Sequence, residues 1–201
     1  MDIVKFLNKD KMIKNKGFTL IEMAIVLVII GLIIGVAVTG KDLMNSAKQK
    51  SVYTKFIQPW TLAVVSYYDR TGQLLGDGED NGGTEDDPDG KFDEVDGSDT
   101  GEYLTGVGLT VPSSNTGTSS EYSYTGAYSG TATITLTLSN VSGNNVFYLD
   151  SVPTDLAIAL DTIVDGVSDG KTGSFVDSAN SDWSDAEDTT TETCMLILDI
   201  P

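Results

Sequence analysis

From Phe18 to Val38 every position is apolar, Gly or Thr except Glu22, and a lysine-rich segment precedes this run. At 1.5 Å rise per residue the run makes a helix of about 31 Å, roughly the hydrocarbon thickness of a bilayer. Behind it the apolar positions thin out. Leu43, Ala47, Phe56, Trp60, Ala63, Val64, Tyr67 and Tyr68 recur at loosely helical spacing, while Lys41, Lys48, Lys50 and Lys55 supply a polar side. This pattern predicts an amphipathic continuation to about Asp69, its apolar stripe held against a globular head, with Thr71-Gly72 as the stop. Pro59 removes one intrahelical bond and predicts a kink. Gly31, Gly35 and Gly40 each weaken the helix by about 1 kcal/mol relative to Ala. Gly31 and Gly35 also form a small-xxx-small pair suited to close helix approach, or to local melting during assembly.

Beyond the helix the periodicity shifts toward two. Thr131 to Leu138 alternates Thr with apolar residues and predicts a half-buried strand. Ser142-Gly143-Asn144-Asn145 predicts a turn, Val146 to Leu149 a hairpin partner, and Cys194 to Ile200 a third strand. Between them Thr154-Asp155 starts a short helix carrying Leu156, Ile158, Ala159, Leu160, Ile163 and Val164, with Asp165-Gly166 as its stop. The stretches 113–120 and 177–193 read as mobile loops, with Trp183 a candidate anchor for the second. The class that follows is α+β: a long N-terminal helix packed on a small antiparallel β-sheet head. Its expected parts are a leader at 1–17, a membrane half at 18–40, an amphipathic half at 41–70 and a head at 71–201.

Charge sharpens this picture. The chain of 201 residues carries a formal charge of -18 and no His. The segment before the apolar run holds five Lys and two Asp, so without it the charge is about -21. Such acidity argues against binding nucleic acid or other polyanions, and suits a solvated exterior or a cation site. The lack of His removes the commonest general base and transition-metal ligand. No nucleophile–base pair or phosphate loop stands out, so no enzymatic activity is expected. Cys194 is the single cysteine, which excludes an intrachain disulfide, and its apolar strand context predicts a buried small hydrophobe.

One acid inside an apolar run is costly, about 3 kcal/mol on insertion scales, and calls for a partner and a purpose. The five lysines ahead of the run orient the N-terminus toward the cytoplasm. Lys16-Gly17-Phe18-Thr19-Leu20-Ile21-Glu22 puts a Gly-Phe junction before the apolar core, whereas a secretory signal is cleaved after it. A plain signal-anchor gives no reason for the acid.

This arrangement resembles the class III signal of type IV prepilins and of the pseudopilins of type II secretion. The resemblance covers the first fifty or so residues well and the remainder in outline. It implies cleavage between Gly17 and Phe18 by a membrane aspartyl prepilin peptidase, followed by N-methylation of Phe18. It also implies a homo-oligomeric helical filament built through an inner-membrane assembly platform. The precursor would be single-pass in the bacterial inner membrane, and the filament periplasmic or at the cell surface. The freed Phe18 amine and Glu22 are four residues apart and share a helix face, so they can pair within a chain or between neighbours. In low dielectric that attraction sets axial register, and Glu22 is implied as an assembly residue. Many type IV pilins close a C-terminal loop with a disulfide, from which this chain departs. The stretch from Pro153 to Gly173 is similar to a prepilin segment in which a short Asp-bearing helix precedes an Asp-Gly turn and a later Gly. The alternative function is a membrane-anchored extracytoplasmic binding or adhesion module that uses the helix only as an anchor.

Residues 76–102 are too rich in acid and Gly for a core and read as a solvated loop. Within them Glu85, Asp87, Asp89, Asp93 and Asp96 take positions one, three, five, nine and twelve of a calcium-loop template. Gly90 stands at the sixth, Lys91 at the seventh (through its carbonyl), and Phe92 at the eighth as an apolar anchor. Glu at the first position and Asp at the twelfth depart from that template, Pro88 restricts the turn, and no helix pattern flanks it. Ca²⁺ is the expected ligand if this loop holds one. Asp161, Asp165 and Asp169 offer a second group of carboxylates, which capping and turn formation explain more simply.

Overall fold

A computed structural model describes residues 17–78, 88–93 and 97–200; the leader up to Lys16 lies outside them. The chain divides into two compact units, Met1–Asp42 and Leu43–Pro201. Helix α1 (Leu20–Val52) begins in the first and ends in the second.

In the first unit α1 runs unbroken through Gly31, Gly35 and Gly40, and the large apolar side chains from Leu20 to Val36 stand exposed. An apolar surface of this extent needs lipid or protein around it. The helical stretch from Leu20 to Thr71 is, among the described residues, the one long and apolar enough to cross a membrane.

The second unit begins with the end of α1, a π-helical turn (Tyr53–Ile57) and α2 (Gln58–Thr71). The π turn meets Pro59. A proline in an α-helix lacks its N–H and crowds the carbonyl four residues back. Here the Gln58 N–H reaches the Tyr53 carbonyl five residues back, widening the ladder just before the ring. Val52, Phe56, Ile57, Trp60, Ala63 and Val64 form the buried face. Leu43 and Ala47, expected on that stripe, are exposed instead, since the core starts only at Val52. Gly72, at φ 74°, ends the helix with its N–H on the Tyr68 carbonyl, in the left-handed conformation glycine adopts without strain.

Five antiparallel strands form one sheet in the order β1 (Glu121–Thr125), β2 (Thr131–Val141), β3 (Asn144–Pro153), β5 (Thr191–Ile197), β4 (Phe175–Asp177). Ile134, Leu136 and Leu138 of β2 are buried, as the alternation predicts. The β2–β3 connection is tighter than expected. Val141 pairs with Asn144, leaving Ser142 and Gly143 at φ 54° and 87°, the conformation of a two-residue hairpin turn. Helix α4 (Thr154–Val164) buries Leu156, Ala157 and Leu160.

Three elements were not anticipated. Strand β1 pairs with β2, and the three-residue β4 completes the other edge. Helix α3 (Gly97–Gly106) occupies the end of the stretch read as a solvated loop. Its two internal threonines and Gly101 are poor helix formers, and burial of Leu104 overrides that weak propensity. The 113–120 segment forms neither helix nor strand but is fastened: Asn115 donates to the Ser123 carbonyl and accepts from the Ser123 N–H, both at 2.7 Å. That amide occupies the free edge of β1 as another strand would. Ser119 is tied to the helix through its carbonyl, which accepts from Trp60 Nε1 at 3.1 Å.

Candidate functional site

Gly17, Phe18 and Thr19 precede the first turn of α1 in non-helical backbone, and Phe18 is 83% exposed. Glu22 lies one turn further on. The Thr19 N–H donates to Glu22 Oε2 at 2.7 Å, the Thr19 hydroxyl donates to the same oxygen at 2.9 Å, and the Glu22 N–H donates to Thr19 Oγ1 at 3.2 Å. This reciprocal pair is a capping box. It satisfies two backbone donors that a helix start leaves orphaned, and it sets a carboxylate at the positive end of the helix dipole. Its sequence signature is Thr-x-x-Glu ahead of an apolar run. Glu22 is thus held against Thr19, the residue that follows Phe18 in the chain. Cleavage at Gly17 would turn the Phe18 nitrogen, one residue from the Thr19 N–H that reaches Glu22, into a cation.

Of the calcium-loop candidates, Glu85, Asp87 and Asp96 lie outside the described residues. Asp89, Lys91 and Asp93 are brought together, and each is already engaged. The Lys91 ammonium pairs with the Asp89 carboxylate, and the Asp93 carboxylate accepts from the Gly78 N–H at 2.9 Å. Asp77, which the template did not include, accepts from the N–H groups of Asp89 and Gly90 at 2.8 and 3.1 Å. The bond from Lys91 holds the Asp89 carboxyl below its usual range. In return Asp89, followed by the fields of Asp93 and Asp77, pushes the Lys91 ammonium up. Phe92 is buried as an anchor, and its N–H donates to Asn145 Oδ1 at 3.0 Å, while Asn145 Nδ2 donates to the Gly90 carbonyl at 3.0 Å. Asn145, read as a turn residue, thereby stitches this loop to β3. Among the described residues no three Asp, Glu, Cys or His side chains are placed to hold a metal.

The second acidic group organises loops. Asp161 is fully buried at the end of α4, and its Oδ2 accepts from the Asp169 N–H (3.0 Å), the Gly170 N–H (3.2 Å) and Trp183 Nε1 (2.7 Å). Trp183 also lies against Phe175, ring centroids 5.9 Å apart, and so anchors the 177–193 segment as expected. Asp165 accepts from the Ser174 and Phe175 N–H groups, the latter at 2.8 Å, where β4 begins. Gly173 sits at φ 103°, and a Cβ there would come within 2.5 Å of the Asp165 carboxyl carbon. The Asp-Gly turn and the later Gly therefore belong to one device: the acid caps a backbone that only glycine lets close enough. Asp169 turns back on Thr172 and Lys171, and bonds from the Thr172 hydroxyl and these two N–H groups hold its carboxyl below the usual range. Cys194 is fully buried, and burial, with the fields of Asp177 and Glu192, pushes its thiol well up, which leaves it an inert core residue.

A prokaryotic N-terminal methylation motif matches residues 12–38, a span that includes the Gly17-Phe18 junction and Glu22. No curated protein matches the chain, and no solved structure does.

Proposed function

We propose, from a chain that carries the prepilin-type signal of type IV pilins and pseudopilins, that it is a structural subunit of such a filament. Prepilin peptidase cuts between Gly17 and Phe18 and methylates the Phe18 amine. The subunit waits in the inner membrane with α1 spanning it and its N-terminus cytoplasmic, then enters a homo-oligomeric filament from the assembly platform. The head is a structural and display element and does not catalyse a reaction.

The observation that carries this reading is the placement of one acid. Glu22 lies in the first turn of a helix whose apolar side chains are exposed over the length of a membrane span. In the precursor its charge is spread over the Thr19 donors. After cleavage, the Phe18 amine of its own chain or of a neighbour offers a full positive charge in a medium where an unpaired carboxylate is costly. A subunit seated one step out of register leaves Glu22 without that partner, so the pairing favours a single axial position.

Glu22→Gln separates capping from charge. Gln at this position still accepts from the Thr19 N–H, as capping boxes allow, but it cannot pair ionically. The variant is expected to insert in the membrane at wild-type levels and to lose most sheared filament. Normal filament yield from Glu22→Gln would leave Glu22 as a cap alone and refute the pairing, whereas a wild-type chain found only as a membrane-bound monomer would favour the anchored-module alternative.

A further inference from the structure

The basic residues of this chain are distributed unevenly. Residues 71–201 contain 25 Asp and Glu and only two basic side chains, Lys91 and Lys171. Both are committed within the chain, to Asp89 and to Asp182, the latter at 2.6 Å. On the helical stretch Lys48, Lys50 and Lys55 are exposed, and none has an ion-pair partner among the described residues. Lys48 lines a shallow pocket with Tyr122 to Thr125 of β1, whereas Lys50 and Lys55 stand on either side of Thr54, whose hydroxyl donates to the Lys50 carbonyl at 3.0 Å. Thr54 in turn lines an apolar patch. Leu62 is 67% exposed on the wall of a groove of about 440 Å³ formed with Thr54, Gln58, Pro59, Thr61 and Val65. The opposite face of the same helix is filled by the chain's own core.

The occupant of a groove with an apolar centre and an uncompensated cationic flank should be apolar in part and acidic at its rim. The head of this same protein offers both, with Tyr128 and Val167 exposed, carboxylates in large excess, and exposed acids such as Asp185, Glu187 and Asp188. We propose that the Lys50–Lys55 face of the helix is a docking surface for the acidic head of a second copy. The contact is heterologous, helix face to head, and so propagates along an assembly instead of closing into a dimer. The inference rests on the filament reading above and names which surfaces meet once subunits are in place.

The test uses filaments of the full chain assembled from mixed light and heavy-nitrogen subunits, treated with a carbodiimide that joins an ammonium only to a carboxylate in contact. Peptides linking Lys50 or Lys55 to a head Asp or Glu should appear with mixed isotope composition, the mark of a link between copies. Lys50→Glu/Lys55→Glu should yield about tenfold less sheared filament, the loss expected from a few exposed pairs per contact. Lys50→Arg/Lys55→Arg should assemble as the wild type does, and all variants should retain a processed Phe18 N-terminus. Normal filaments without intermolecular links from these lysines would overturn the proposal, as would charge-reversed filaments of wild-type yield and salt resistance. Neither result would touch the filament reading, which fails only if wild-type chains form no filament. Vesicles of anionic lipid that bind the wild type and not the charge-reversed variant, with filaments unaffected, would assign the lysines to the membrane and also overturn it.

Discussion

Removing the Asp161 carboxylate should release the whole C-terminal edge of the head. Three donors converge on its Oδ2, from Asp169, Gly170 and Trp183, at a fully buried position. A hydrogen bond to a charged group contributes about 1.5–3 kcal/mol. Two factors reduce the sum: the carboxylate itself was costly to bury, and the Asp169–Thr172 turn can partly resolvate once freed. Asp161→Ala is therefore expected to cost about 3 kcal/mol, and Asp161→Asn, which keeps one acceptor, about 1 kcal/mol. For a chain of this size each kcal/mol lowers Tm by about 2–4 °C, so the Ala variant should melt about 6–12 °C below wild type. Trp183→Phe removes one donor and keeps the ring beside Phe175, for about 1 kcal/mol. Because the two substitutions break a shared bond, the double variant should cost less than their sum. The assay is thermal unfolding of the full chain in detergent, followed by circular dichroism so that loss of a tryptophan does not alter the probe. An Asp161→Ala variant within about 0.5 kcal/mol of wild type, or strictly additive effects, would refute the role assigned to this carboxylate.

Gly17→Leu should block cleavage, because a branched side chain then stands at the scissile bond, and mass spectrometry should recover the full-length precursor. Glu22→Gln should insert normally and lose most filament, as set out above. Calcium in the acidic run, with Glu85, Asp87, Asp89, Asp93 and Asp96 as its proposed ligands and the Lys91 carbonyl beside them, should raise Tm at millimolar concentration; about 100-fold excess over Kd corresponds to roughly 2.7 kcal/mol. A Tm that does not move in wild type or Asp89→Ala would leave Lys91 as the cation of that loop. The lowered pKa of Asp169 means that its contribution is complete above the ordinary aspartate range and is lost as pH falls through the lowered value. An NMR titration of that carboxyl should find its midpoint below the range of unperturbed aspartates, and a midpoint within or above that range would refute the capping geometry.

The features best legible in the sequence were those with a strong period or a unique composition. The apolar run, the Thr-alternating strand β2 and helix α4 each repeat a pattern long enough to override local noise. Gly72 and Gly166 marked helix ends because only a positive φ fits there. Strand β4 was not legible, since three residues give too few alternations to set a period, and its position depends on Asp165 reaching across from α4. Helix α3 hides behind Gly and Thr, which favour other conformations, until Leu104 is buried. At the junction, the cost of Glu22 stands out in the sequence, while its capping by Thr19 is carried by the weaker Thr-x-x-Glu spacing. In the acidic run, spacing alone suggested a cation site. It could not reveal that Asn145 fastens the loop from 55 positions beyond Gly90, or that Lys91 meets Asp89. Long-range side-chain bonds of this kind leave no periodic trace.

The central claim is that this chain is a processed filament subunit, and the most direct measurement is the N-terminal peptide mass of protein recovered from sheared extracellular or periplasmic filaments. The account predicts N-methylated Phe18 as the first residue, with nothing of Met1 to Gly17 remaining. Filaments containing uncleaved chain, or a chain found only as a membrane-bound monomer still carrying its leader, would contradict it.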